Sequence, residues 1–291
     1  MIKKILAFLA IAAVGVVGII ASRDDDGANA AESETGSEVR ADEAADSPGA
    51  PAGVSAGSRH YSDLDRVKTP GGLPSQEKSY TGFRLSFNSE NHTPNWVAWE
   101  LLGTETDGAS SRGGRKVFAD EELDGCPDTR DYTRSGFDRG HMCPAADQKW
   151  SAQAMEDCFV MANICPQDHS LNSGAWNSLE QRERAWALRD SAIVIVAGPI
   201  YQKSDTQRIG STGVRVPSAF FKVIAAPYAA EPRGIAFVYP NMTSPGNMEQ
   251  YAMTIDDVEK LTGFDFFYSL PDDVEEKVES AASFREWNKK R

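Results

Sequence analysis

Phe137-Asp138-Arg139-Gly140-His141-Met142-Cys143-Pro144-Ala145-Ala146-Asp147 sets a carboxylate, a fixed cation, a glycine and an imidazole side by side at Asp138–His141. Only three other histidines occur in the chain, His60, His92 and His169, so few groups can act as a base near neutral pH. The combination suits attack on phosphorus. Histidine can take a proton from water, and the arginine fork can hold phosphate oxygens. Glycine lets the backbone come close to a ligand. On these four residues alone, a loop salt bridge between Asp138 and Arg139 with a histidine nearby fits equally well.

The chain of 291 residues is long enough for a substantial core, and its 41% hydrophobic and 25% charged composition is that of a globular protein. The first residues differ. Lys3 and Lys4 precede an uncharged apolar run from Ile5 to Ala21, which reads as a signal peptide or an N-terminal membrane anchor over residues 1–22. Lys3 and Lys4 are then expected to stay cytoplasmic while the rest is exported across the inner membrane, to be periplasmic or extracellular or held at the membrane by that segment. Residues 23–76 are rich in Ala, Gly, Ser and acids, with few large apolar side chains. They read as a disordered linker, because too little surface can be buried to offset the entropy of ordering. A folded domain is expected over 77–270, with a helical tail over 271–291.

The net charge is −13, of which residues 1–60 carry −4 and residues 61–291 carry −9. A polyanionic partner therefore needs a local basic cleft on an acidic body, and strong passive binding by overall charge is not expected. Cys126, Cys143, Cys158 and Cys165 contain no Cys-x-x-Cys pair, so a zinc site is not indicated. An even count in an exported protein favours disulfides, with free buried thiols as the alternative.

Phe83–Phe87 and Trp96–Leu102 alternate apolar and polar residues across a polar link, the pattern of an antiparallel hairpin. A helix is expected over Ser151–Met161 with Ser151 as its cap, and a second from about Leu171–Ser173 to Arg189. Trp176, Leu179, Glu183 and Trp186 share one stripe of that second helix, and three of the four are apolar. Strands follow at Ser191–Val196, Phe220–Ala225 and Ile235–Tyr239. Thr254 opens a further helix with an acid three residues on, and Gly263 closes it. Runs of strands with few helices give an α+β domain built on a mostly antiparallel sheet.

Asn172, Trp176 and Glu180 are spaced i, i+4, i+8. On an α-helix this puts Asn172 and Glu180 about 80° apart and roughly 12 Å along the axis. Asparagine is a weak helix former, so it reads as a cap or as a ligand. By residue chemistry alone, Asp138 and Glu180 are the stronger metal-ligand candidates.

Taken in order, Asn95–Ala98, Asp138–His141, Lys149–Ser151, Asn163–Gln167, Asn172–Glu180, Gly198-Pro199 and Val216–Ser218 resemble the blocks of the DNA/RNA non-specific endonucleases. These are ββα-metal (His-Me finger) nucleases, endonuclease G-like, with secreted bacterial members. The resemblance spans about residues 80–270. It implies a central mostly antiparallel sheet flanked by helices and an enzyme that hydrolyses DNA and RNA with little sequence preference. Mg²⁺ is the implied cofactor, with Mn²⁺ as an alternative, and a homodimer is compatible with the family. By the same resemblance His141 is the general base and Asn172 the sole direct metal ligand. Glu180 holds water around the ion, and Arg139 and Arg115 bind phosphate, with Arg112 as the alternative to Arg115. Asn163 supports the phosphate or the histidine, and Asp138 braces the loop. A non-catalytic nucleic-acid-binding module is the rival reading. A hydrolase with Ser135 or Ser170 as nucleophile is a third, and it lacks any Gly-x-Ser-x-Gly elbow.

Overall fold

In the computed structural model, residues 61–244 and 246–289 are described. The leader and most of the linker expected from the sequence, residues 1–60, lie outside them. The two alternating segments pair as read, and a strand not read from the sequence joins them: β1 (Gln76–Ser79), β2 (Arg84–Asn88) and β3 (Thr93–Leu102) form an antiparallel meander. A bulge at Ser86/Phe87 shifts the β2–β3 register. β3 pairs with β6 (Ala192–Ile200), β6 with β9 (Ala219–Ala226), β9 with β10 (Arg233–Pro240) and β10 with β11 (Ala252–Met253). Every pairing in this seven-stranded sheet is antiparallel. Two smaller pairs, β4 (Asp138–His141) with β5 (Ile164–Gln167) and β7 (Arg208–Ile209) with β8 (Val214–Arg215), lie outside it.

All nine residues of β6 are buried, because both faces of the sheet are covered. The two-residue period of a strand sorts its side chains. Ile193, Ile195 and Ala197 pack on one side with Trp176, Leu179 and Trp186. Val194 and Val196 pack on the other with Val258, Val274 and Val278. Replacing Ile195 by Ala would cost about 2–5 kcal/mol, the usual range for a fully buried isoleucine. At Gly198 a Cβ would lie 2.5 Å from the Asn95 carbonyl oxygen and 2.8 Å from the Phe221 ring, so this contact between β3 and β6 needs glycine.

The helices are shorter or differently wound than the sequence pattern predicts. α1 is Ala152–Asp157, capped by Ser151 Oγ accepting from the Ala154 amide at 3.3 Å. It stops early because Val160 bridges to Phe118 and Met161 donates to the Phe118 carbonyl. The second helix begins as a π-turn over Leu171–Trp176 and continues as α2 (Asn177–Asp190). α3 (Ile255–Thr262) has the expected ends. Thr254 Oγ1 accepts from the Asp257 amide at 3.1 Å, and Gly263 closes the helix at φ 79°.

Both ends of the expected domain extend further than read. Leu64 and Val67 are buried in the core behind the sheet, and Lys68 bridges to Asp265, so two sparse apolar residues and one bridge anchor a segment assigned to the linker. The tail is α4 (Asp272–Glu279) and α5 (Phe284–Trp287). It buries Val274, Val278 and Trp287, whose ring lies 4.8 Å from Trp186.

Candidate active site

β4, β5 and the π-turn leading into α2 form a ββα unit on the Ile195 face of the sheet. Within it Asp138 pairs with Gln167 and His141 with Ile164. Gly140 sits opposite Cys165, and a Cβ there would fall 2.3 Å from the Gln167 side chain. Its smallness admits a neighbouring side chain, which corrects the reading of Gly140 as a place for a ligand.

A cleft of about 610 Å³ opens beside this unit, lined by His141, Asn172 and Glu180 together with Arg112, Arg139, Lys149 and Arg184. This is the local basic cleft that an acidic chain requires for a polyanion. Asn163 holds the loop that follows His141. Its side chain accepts from the Cys143 amide and donates to the Cys143 and Cys158 carbonyls, each at 2.9 Å. Asn163 is fully buried by these bonds and does not line the cleft.

The Nε2 of the His141 ring is buried and has no hydrogen-bond partner. Burial and then the Arg112 charge push the imidazole down to about 4, so it is neutral at pH 7. Phe159 meets the ring edge-on at 5.4 Å, and Arg112 lies 5.5 Å over the same Phe159.

Asn172 is not the cap of its helix. Asp168 Oδ1 fills that role by accepting from the Ser170 and Leu171 amides. Asn172 instead donates from Nδ2 to Asp138 Oδ2 at 2.8 Å, and His169 Nδ1 lies 2.9 Å from the same oxygen. That commitment of the amide nitrogen leaves the amide oxygen as the available ligand atom on this side chain. The π-turn winds more loosely than an α-helix, so the 80° separation from Glu180 does not carry over.

Arg139 lines the cleft, donates to the Thr129 carbonyl at 2.8 Å and lies 5.9 Å over the Tyr132 ring. Arg115 does not line it: its guanidinium pairs with Glu156 at 2.9 Å and donates to the Ser111 carbonyl. Arg112 is the arginine the loop presents there, a correction that spacing to Asp120 could not supply. Ser135 Oγ bonds within its own turn to Phe137, which gives the serine-hydrolase reading no support.

Beneath Glu180 lies a charged cluster that motif reading missed. Lys222 is fully buried in β9, with Nζ 2.9 Å from Glu183 Oε2 and 3.9 Å from Glu180 Oε1. The Trp176 and Trp99 rings stand 4.7 and 5.5 Å from it. Buried Asp147 accepts from Arg184 at 2.8 Å and from Trp99 Nε1 at 3.1 Å. Burial alone would lower Lys222, but Glu183 and Glu180 outweigh it and hold the ammonium above its ordinary value. Burial pushes Glu180 up to about 7, with Lys222 pulling down and Glu183 pushing further up. Two signals were present in the sequence: a lysine inside an otherwise apolar strand, and an acid on the apolar stripe of the helix.

All four cysteines are free thiols, contrary to the disulfide expectation. Cys143 accepts from Gln148 Nε2 at 3.1 Å, Cys158 donates to the Met155 carbonyl at 3.1 Å, and Cys126 accepts from the Asp120 amide at 3.3 Å. Burial pushes the Cys158 thiol up to about 12 and that of Cys126 up to about 11, so both stay protonated.

Residues 60–273 match the family described as DNA/RNA non-specific endonuclease. The chain is 33% identical over 231 residues to the mitochondrial nuclease EXOG of Danio rerio, covering 72% of this chain and 66% of that protein. It is 31% identical over 235 residues to mitochondrial endonuclease G of Bos taurus, covering 75% and 76%. It thus spans just under two thirds of the length of the EXOG relative. A chain in the crystal structure of the EndoG/EndoGI complex superposes with a TM-score of 0.64 at 26% identity, covering 71% of this chain and 91% of that one. The ββα unit on an antiparallel sheet is thus the expected fold class. The relatives are mitochondrial nucleases, which overturns the expectation of export across an inner membrane. Among the described residues no helix is long and apolar enough to cross a membrane. The disulfide expectation rested on that same export.

Proposed function

Since the chain belongs to the DNA/RNA non-specific endonuclease family, we propose that it hydrolyses phosphodiester bonds of DNA and RNA with little sequence preference, in a metal-dependent reaction. One observation carries the mechanism: a neutral histidine lines a cleft that holds Asn172, Glu180 and several fixed cations.

His141 would take the proton from water as its oxygen attacks phosphorus. The phosphorus bond to the leaving sugar oxygen then breaks, and that oxygen takes its proton from solvent. Protonating His141 in the buried site is opposed by Arg112, so the proton is readily returned to water.

The residues present fit a hard divalent cation. Asp138 holds the Asn172 amide by its nitrogen, leaving its oxygen as donor, and the raised Glu180 carboxylate lacks full compensation of its charge. Mg²⁺, with Mn²⁺ as the alternative, would when bound offset charge on the phosphate and on the leaving oxygen. Asn172 would be its one protein ligand, and Glu180 would accept hydrogen bonds from water around it. Arg139 and Arg112 would orient the phosphate and neutralise its non-bridging oxygens.

A time course on plasmid DNA and on RNA, with Mg²⁺ and with EDTA, tests this reading. Cleavage of both substrates only with metal is expected, with at least a 10²-fold loss in His141→Ala at unchanged folding, the usual scale for losing a general base. Near-normal nicking by that variant would overturn the mechanism. Binding without cleavage by the wild-type chain would favour the non-catalytic module.

A further inference from the structure

Behind the sheet, on the face away from the cleft, three acids from two helices converge. Asp256 and Glu259 lie three residues apart on α3, hence on one face of it, and Glu279 is the last residue of α4. One carboxylate oxygen from each lies within 4.8 Å of the other two. Glu279 is only 7% exposed, and its buried Oε1 has no hydrogen-bond partner. It also sits at a helix C-terminus, where the backbone dipole disfavours negative charge.

Little nearby offsets this charge. Lys260 stands 3.7 Å from Asp256, but its side chain is 70% exposed. Lys68 is engaged by Asp265 at 2.8 Å. Glu259 accepts one backbone bond, from the Phe266 amide at 2.8 Å. Asp265 and Glu275 add further negative charge, and both push Glu279 upward. Three carboxylates, one of them buried and unpaired, call for a positive occupant.

We propose that Asp256, Glu259 and Glu279 bind a divalent cation of the Ca²⁺ class, which ties α3 to α4 at a site separate from the catalytic cleft. The donor set is oxygen only, as hard cations prefer, with no histidine or thiolate to select a softer metal. Two oxygens on one ion are separated by at most twice the ion–oxygen distance. That limit is about 4.6–5.2 Å for Ca²⁺ and about 4.0–4.2 Å for Mg²⁺. The three donor oxygens lie within 4.8 Å of one another, inside the span that a Ca²⁺ ion can bridge. A proton is the competing occupant, since burial and then the Glu259 charge push Glu279 up to about 9.

The test is titration of the chelator-stripped full chain with CaCl₂ at pH 7, read by calorimetry and by thermal unfolding. The cleft can take the same ion, so Asn172→Ala is the reference: it is expected to bind one ion and to gain roughly 5 to 11 °C in Tm at a hundredfold excess over Kd, and wild type to gain at least as much. Added to Asn172→Ala, Glu279→Gln should lose the heat and the gain. Asp256→Asn, a half-exposed position, should lose most of both in that background, and on its own keep wild-type cleavage of plasmid with Mg²⁺. Silence of the wild type to millimolar Ca²⁺ would overturn the proposal in favour of a shared proton. A response that disappears in Asn172→Ala, or persists there on adding each of Glu279→Gln and Asp256→Asn, would overturn it as well.

Discussion

Replacing Lys222 by Met should expose how much of the site's architecture depends on one buried charge. The ammonium is fully buried, bonded to Glu183 at 2.9 Å and placed 3.9 Å from Glu180. Methionine matches its length, so the loss is mainly electrostatic. Breaking a buried pair by removing one partner costs about 3–5 kcal/mol, because the other charge is left uncompensated. Contacts of the ammonium with the Trp176 and Trp99 rings add to the loss. For a domain of this size the cost corresponds to a Tm lower by roughly 6 to 20 °C. The effect should depend on pH in a fixed direction. Without Lys222 the Glu183 and Glu180 carboxyls rise further above their unfolded values, so the folded state binds more protons than the unfolded one. Stability of the variant must then fall as pH rises above about 4.5, and recover as pH is lowered toward that value. Adding Glu183→Gln removes the stranded charge and should restore about 2 kcal/mol or more of the loss, because both partners of the pair are then neutral. Urea unfolding of the wild type, both single variants and the double variant at pH 5 and pH 8 measures the coupling. A double variant no more stable than Lys222→Met, or a single variant whose deficit is the same at both pH values, would refute this account of the cluster.

Other outcomes follow from the cleft. Asn172→Ala should shift the Mg²⁺ activation curve strongly, and Asp138→Ala should raise the Mg²⁺ requirement about 10- to 100-fold by freeing the Asn172 amide to turn; unchanged curves in cleavage assays would remove both from metal binding. Arg112→Ala should lower kcat/KM by about 10- to 100-fold, the scale of one lost hydrogen bond to a charged group. Arg115→Ala, paired with Glu156 away from the cleft, should change it by no more than about threefold. A raised carboxyl must lose its proton to serve a cation, so the Mg²⁺ activation constant should rise up to tenfold per pH unit below about 7, the value to which Glu180 is pushed. A constant that stays flat from pH 6 to pH 8 would contradict that role. His141, pushed down to about 4, should contribute no acid limb in the same range.

What was legible in the sequence is what short-range physics encodes. The two-residue period of Phe83–Phe87 and Trp96–Leu102 produced the β2–β3 hairpin, and Thr254 with Gly263 set both ends of α3. Asp138–His141 announced a site loop, and family resemblance pointed to Asn172 where residue chemistry favoured an acid. Tertiary structure decided the rest, because those contacts join residues whose separation no local pattern records. Lys222 meets Glu183 across 39 positions, and Asp138 reaches Asn172 across 34. Which arginine of a glycine-rich loop faces the cleft depends on Glu156 being free to capture Arg115, and it is. Gly140 serves the Gln167 side chain because β4 pairs with β5 in one register. The sequence by itself determined five strands of the main sheet, the Ser151, Thr254 and Gly263 caps, and a histidine as candidate base. Folding decided which charges those elements bury together, because the energy of a buried charge depends on its spatial neighbours, and only the packed sheet and helices supply them.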